Sequence, residues 1–225
     1  MKKLENDTIS WNNYMFKRHP TPYKGIAGFV EYKRVKRIVR IIKKSNFQKA
    51  NVIALGCEQG YLLEYLSNKL PENNYFGTDV SDIAIKLARR RLGNKCTIIY
   101  HDMTSDEPLT NFPPIDIIIC SEVLEHIPEY EKAIKNISTM ITKTSLVIIT
   151  IPLEKYKNWI KLVLKKMGLI SILFNKIEPG MSEWHINDFS KKDILKILSK
   201  YFEVISYSLL YGIHQVIVLK KIPES

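Results

Sequence analysis

Cysteine is scarce. The chain of 225 residues has three, Cys57, Cys96 and Cys120, each in or beside an apolar run and with no C-x-x-C spacing between them. That excludes a disulfide framework and argues against a zinc site; free thiols in a reducing compartment fit best. Long hydrophobic runs are absent too. No stretch reaches the ~20 apolar residues that span a bilayer. Met1-Lys-Lys-Leu-Glu-Asn-Asp7 lacks the apolar stretch of a signal peptide, so a cytoplasmic protein is expected. There is no internal repeat and no low-complexity segment. Acid is in short supply: 23 Asp and Glu face 34 Lys and Arg, a formal net charge of +11. A basic surface attracts nucleic acid, anionic lipid or an acidic small substrate. A solvated lysine-rich surface with no partner accounts for it equally well.

What is present describes one domain. Apolar residues make up 45% and charged residues 25%, the balance of a soluble globular protein. From Asn51 onward, short apolar runs alternate with segments of helical period. Strands are expected at Val52–Leu55, Tyr75–Thr78, Cys96–Tyr100, Ile115–Cys120 and Leu146–Ile151. Helices are expected at Tyr61–Lys69, Ile83–Leu92 and Glu131–Ile141. Near-continuous Ile, Val and Leu strands between helices indicate a parallel sheet covered on both faces. The tail differs. A helix over Ser190–Tyr201, capped by Ser190, precedes strands Phe202–Leu209 and His214–Leu219, whose four-residue separation suits a hairpin and an antiparallel last strand. Residues 1–45 read as a basic helical extension packed on a core of 46–221. Residues 153–188 read as an insert, a lid over the carboxyl edge of the sheet where ligands bind.

Gly56-Cys-Glu-Gln-Gly60 joins a strand to a helix. Glycines there let the backbone approach a ligand and leave helix N–H groups aimed at it, although a tight turn that binds nothing looks the same. Asp79 ends the second strand about 20 residues later, where a carboxylate accepts ribose hydroxyls. Asp102 ends the third, with Met103 beside it. At this point the chain resembles the class I S-adenosylmethionine-dependent methyltransferases. The residues that carry the resemblance are Ala54-Leu-Gly-Cys-Glu-Gln-Gly60, Gly77-Thr-Asp79, His101-Asp102 and Cys120-Ser-Glu-Val-Leu-Glu-His126. The resemblance implies an α/β, Rossmann-like, doubly wound seven-stranded sheet, mostly parallel with an antiparallel last strand. It also implies S-adenosyl-L-methionine as cofactor, held by Gly56, Cys57, Glu58, Gly60, Asp79, Val80, Asp102, Met103 and Ser121. The chain departs from the family pattern at Ala54, where an acid usually helps hold the methionine end of the cofactor. It departs again at Glu58, where a third glycine usually stands.

A sulfonium methyl leaves without acid catalysis, so the protein must align an acceptor and, for a hydroxyl, remove its proton. Glu122, His126 and His185 are assigned that work; Glu125 and Asp188 are further candidates. Glu122, Glu125 and His126 are expected to share one side of a turn. With His185 they resemble the Glu-x-x-Glu-His pattern of quinone-biosynthesis O-methyltransferases and of enzymes that methylate the terminal 2′-hydroxyl of small RNAs. The same run is common in relatives that use no metal, and the assignment includes none. A small-molecule acceptor, with oxygen as the accepting atom, is the expectation. Two alternatives stay open. One is RNA, contacted by Arg18, Lys24, Lys33, Arg34, Lys36, Arg37, Arg40, Lys43 and Lys44 with Tyr14, Phe16 and Tyr23 interleaved. The other is a membrane-surface or non-catalytic role, through the amphipathic run 155–176.

Overall fold

The computed structural model describes residues 25–107, 109, 112–153, 163, 166 and 185–223. The expected lid over 153–188 lies mostly outside the described residues. So do the run 155–176, apart from two backbone positions, the residues Tyr14, Phe16, Arg18, Tyr23 and Lys24, and the outermost terminal residues.

Seven strands form one sheet in the order β3-β2-β1-β4-β5-β7-β6. They are β1 (Asn51–Leu55), β2 (Asn74–Asp79), β3 (Cys96–Tyr100), β4 (Ile117–Ser121), β5 (Leu146–Pro152), β6 (Phe202–Leu210) and β7 (His214–Lys221). The first five pair in parallel, and β7 runs antiparallel to both β5 and β6. This is the expected class I topology. The hairpin loop is three residues, with Tyr211 (φ 52°) and Gly212 (φ 70°) both left-handed and Ile213 N–H bonded to Leu210 O at 3.1 Å. Such primed turns match the twist of the strands they join.

Helices α1 (Gly25–Lys44), α2 (Tyr61–Lys69) and α3 (Asp82–Leu92) cover one face; α4 (Tyr130–Thr139) and α5 (Lys191–Leu198) cover the other. Alternation along β1 decides which side chain meets which layer. Val52 and Ala54 pack with Ile38, Val39 and Ile42 of α1, whereas Ile53 and Leu55 pack with Ile134 and Ile137 of α4. The basic helix is thus part of the core at its apolar stripe. Ser81 caps α3 by accepting from Ala84 N–H at 3.1 Å, and Ser190 caps α5 by accepting from Asp193 N–H at 3.2 Å.

β4 starts two residues later than its isoleucine run suggests. The Asp116 carboxylate accepts from Asn51 N–H at 2.8 Å and so ties the entry of β4 to the start of β1. Likewise α4 stops at Thr139 rather than Ile141. Among the described residues, no helix is long and apolar enough to cross a membrane.

Candidate active site

β1 ends in a turn built around three left-handed residues, Gly56 (φ 67°), Glu58 (φ 49°) and Gly60 (φ 81°). A Cβ on Gly56 would lie 2.6 Å from Val123 Cγ2, and one on Gly60 would lie 2.8 Å from Leu92 Cδ1. Glycine is therefore required by contact as well as by backbone conformation. Cys57 N–H bonds Thr78 O at 2.8 Å, which fixes the turn against β2. Helix α2 then starts from Gly60 with no side-chain cap bond.

Asp79 closes the other wall. Its Oδ2 accepts from Glu58 N–H at 2.8 Å and its Oδ1 from Ser81 N–H at 2.9 Å. A carboxylate offers about four lone-pair sites, so the amides orient it without exhausting it. Burial raises its pKa above the usual carboxylate value; bonds from the amides of Ser81, Glu58 and Val80 oppose that shift. Ala54 is buried in the apolar layer under α1 and offers no polar group to the turn. The Glu58 side chain is exposed, and the residue's amide carries the bond to Asp79.

The third wall is the loop after β3. Asp102 Oδ1 accepts from both the amide and the hydroxyl of Thr104, each at 2.8 Å. Asn136, on α4, donates to Met103 O at 2.8 Å and Ser105 O at 2.7 Å. Asn136 is a brace that the sequence reading missed; its only signal is an Asn inside a helix.

Beyond β4 the chain turns sharply at Glu122 (φ 56°). That residue does not share a side with Glu125 and His126 as expected. Its left-handed backbone and the short 3₁₀ turn Leu124–His126 send the two carboxylates in different directions. Glu122 Oε1 lies 3.2 Å from Arg34 Nη1 and accepts from Thr150 Oγ1 at 3.0 Å, while Oε2 lies 2.9 Å from His214 Nδ1. With the Thr150 proton directed at Glu122, Ser121 Oγ donates to Thr150 Oγ1 at 2.8 Å. Arg34 also pairs with Glu31. This cluster joins α1, β4, β5 and β7. His214 and Arg34 were not among the expected catalytic residues, because nothing local in the sequence links positions 34, 122 and 214.

Glu125 turns the other way and is fully buried. Its carbonyl accepts from Ile186 N–H at 2.8 Å and Asn187 N–H at 3.0 Å, and Asn187 Nδ2 donates to Ile127 O at 2.7 Å. Those bonds set His185 against His126, with ring centroids 4.8 Å apart. Donor atoms of Glu125, His126 and His185 all lie within 4.8 Å of one another, a set able to hold a divalent cation. Glu31, Glu122 and His214 approach as closely, but there the Arg34 guanidinium already supplies the positive charge.

This combination of sheet order, glycine turn and strand-end carboxylates finds its counterpart in known proteins. The profile of a family described as a methyltransferase domain matches residues 26–206. The chain belongs to the methyltransferase-domain family. Among curated relatives, it is 28% identical over 135 residues to a ubiquinone biosynthesis O-methyltransferase of Colwellia psychrerythraea, covering 59% of this chain and 54% of that protein. It is also 28% identical over 105 residues to a trans-aconitate 2-methyltransferase of Variovorax paradoxus, covering 47% and 39%. This chain thus spans about half the length of the first relative, or less for the second. Solved structures agree on the fold. Magnesium protoporphyrin IX methyltransferase from Synechocystis, with bound S-adenosylhomocysteine, superposes at TM-score 0.68 with 19% identity, covering 94% of this chain and 96% of that one. The PH0226 protein of Pyrococcus horikoshii superposes at 0.69 with 16% identity, covering 92% and 98%.

Proposed function

We propose that this methyltransferase domain transfers the methyl group of S-adenosyl-L-methionine to an oxygen of a small-molecule acceptor. The carrying observation is the Asp79 carboxylate, buried at the end of β2 and aimed by the amides of Glu58 and Ser81 across the mouth of the glycine turn. The residues present fit the cofactor. Asp79 retains acceptor capacity for a ribose hydroxyl. The uncapped start of α2 suits a carboxylate. Asp102 and Met103, braced by Asn136, form the wall for a base. Gly56, Cys57, Gly60, Val80 and Ser121 complete the pocket as backbone and small side chains.

When bound, the cofactor supplies a methyl on a sulfonium that departs as a neutral thioether. The work left to the chain is alignment, exclusion of water and removal of the acceptor proton. His126 and His185, held together at the carboxyl edge, are the proton acceptors of this reading. Glu122 is a positioning residue, because both its oxygens are engaged by Arg34, Thr150 and His214. The residues 46–221 act as the catalytic unit, with 1–45 as its extension and 153–188 as the acceptor lid. A second reading rests on the closeness of Glu125, His126 and His185: a divalent cation there would lower the pKa of an acceptor hydroxyl.

The test is calorimetric titration of the protein and of Asp79→Ala with S-adenosylmethionine and S-adenosylhomocysteine. Saturable binding that the variant loses supports the pocket and opens an acceptor screen with label carried on the methyl. A folded protein that binds neither ligand would defeat the proposal.

A further inference from the structure

On the outer face of α1 a stripe of residues at helical spacing turns away from the core: Phe29, Tyr32, Lys33, Lys36, Arg40 and Lys43. Phe29 is 52% exposed and Tyr32 38%, unusual for aromatic rings on a helix whose other face, Val35, Ile38, Val39 and Ile42, is buried. Across from the stripe, α2 presents Tyr61 and Tyr65. Between the two helices runs a groove of about 580 Å³, lined by both sets of rings and by Glu64 and Asn68. Cations surround it. Lys33 Nζ lies 4.8 Å from the Phe29 ring centre, Lys36 Nζ 4.4 Å from Tyr32, and Lys69 Nζ 5.9 Å from Tyr65. Glu64, the one carboxylate among the described residues that line the groove, is paired with Arg91 at 3.2 Å.

We infer that this groove between α1 and α2 binds single-stranded nucleic acid, its bases stacking on Tyr32 and Phe29 and its phosphates meeting Lys33, Lys36 and Lys69. Charge complementarity selects the partner. An apolar peptide would not need the lysine rim, and an anionic bilayer could not insert its surface between two helices. A duplex would supply the phosphates but keeps its base faces stacked internally. Length favours a strand over a mononucleotide. From the half-buried Lys33 to the exposed Lys43 the cations extend ten residues along a helix, or about 15 Å. The inference goes beyond the proposed methyl transfer and does not depend on it.

The experiment is fluorescence anisotropy of labelled 12-mers of oligouridylate and oligothymidylate, with a duplex of the same length as competitor. The expected result is saturable binding to the single strands, with three phosphate contacts giving a slope of log affinity against log salt of about −2. Tyr32→Ala should weaken binding about five- to a hundred-fold through lost stacking. Lys33→Gln with Lys36→Gln should lower the slope by more than one unit. Unchanged thermal melting would show that these exposed substitutions leave the fold intact. Two results would overturn the inference: no binding at low salt, or duplex binding as tight as single-strand binding and indifferent to Tyr32→Ala. The second would reveal only the attraction of a basic protein for any polyanion.

Discussion

Glu58 stands in the left-handed region, at φ 49°, in the turn after β1. A side chain there crowds its own carbonyl, at roughly 1–2 kcal/mol relative to a relaxed backbone. Glycine at this position removes the crowding but adds about 0.5–1 kcal/mol of backbone entropy to the unfolded chain. The bond to Asp79 survives the change, because it comes from the Glu58 amide at 2.8 Å. The exposed carboxylate is not needed for that bond. Glu58→Gly should therefore stabilise the protein by about 0.5–1 kcal/mol, the difference between these terms. For a chain of this size that corresponds to a rise of about 1–4 °C in melting temperature. Differential scanning calorimetry at matched pH measures it, with Glu58→Ala as the control that keeps a Cβ and gains nothing from relief. A melting temperature that falls in Glu58→Gly would refute the strain argument. It would mean that the side chain makes contacts worth more than the strain.

Other outcomes follow from the same geometry. Burial holds the Asp79 pKa above its usual value, so the folded state binds this proton more readily than the unfolded one. Stability from this group accordingly falls as pH rises from the unfolded pKa through the folded one, while cofactor affinity, which in the proposed site needs the carboxylate, should rise over that window. Calorimetric titration across acid pH reads this, and Asp79→Asn should abolish the pH dependence along with most of the affinity. Arg34→Met strips Glu122, a largely buried carboxylate, of its guanidinium. The expected loss is about 3 kcal/mol, and Arg34→Met with Glu122→Met should lose less than the single change, the mark of an uncompensated charge. Urea unfolding of the four proteins completes that cycle. A Cβ on Gly77 would meet Leu63 Cδ1 and Ile98 Cδ1, each at 2.8 Å. Gly77→Ala should destabilise by about 1–3 kcal/mol in the same assay. Burial pushes the Cys96 thiol up to about 11 and those of Cys57 and Cys120 upward as well. Labelling with a thiol reagent at neutral pH should be slow for all three until urea unfolds the chain.

The sheet and its order of elements were legible in the sequence because they rest on local rules. Ile117 to Cys120 is apolar at every position, as a strand covered on both faces must be. Ser190 caps its helix through an amide three residues away. The hairpin of β6 and β7 closes through a bond within four residues. The turn around Gly56 and Gly60 was readable as a turn for the same reason, since left-handed glycines end β1 and start the next helix. Glu122 was the failure, and an instructive one. A helical turn was assumed after β4, and one left-handed residue sent Glu122 and Glu125 to opposite clusters.

What tertiary structure alone decided is which distant groups meet. Arg34, Glu122 and His214 lie on a helix, a turn and a strand far apart in the chain. They converge because β5 accepts β7 antiparallel, which sets His214 opposite Pro152 at the carboxyl edge while α1 packs across the sheet. Asn136 reaches the Asp102 loop only because α4 lies beneath it. Local pattern fixes the period and the face of each element, since both depend on neighbours along the chain. Partners across the fold depend on how the layers stack, and no stretch of sequence carries that information by itself.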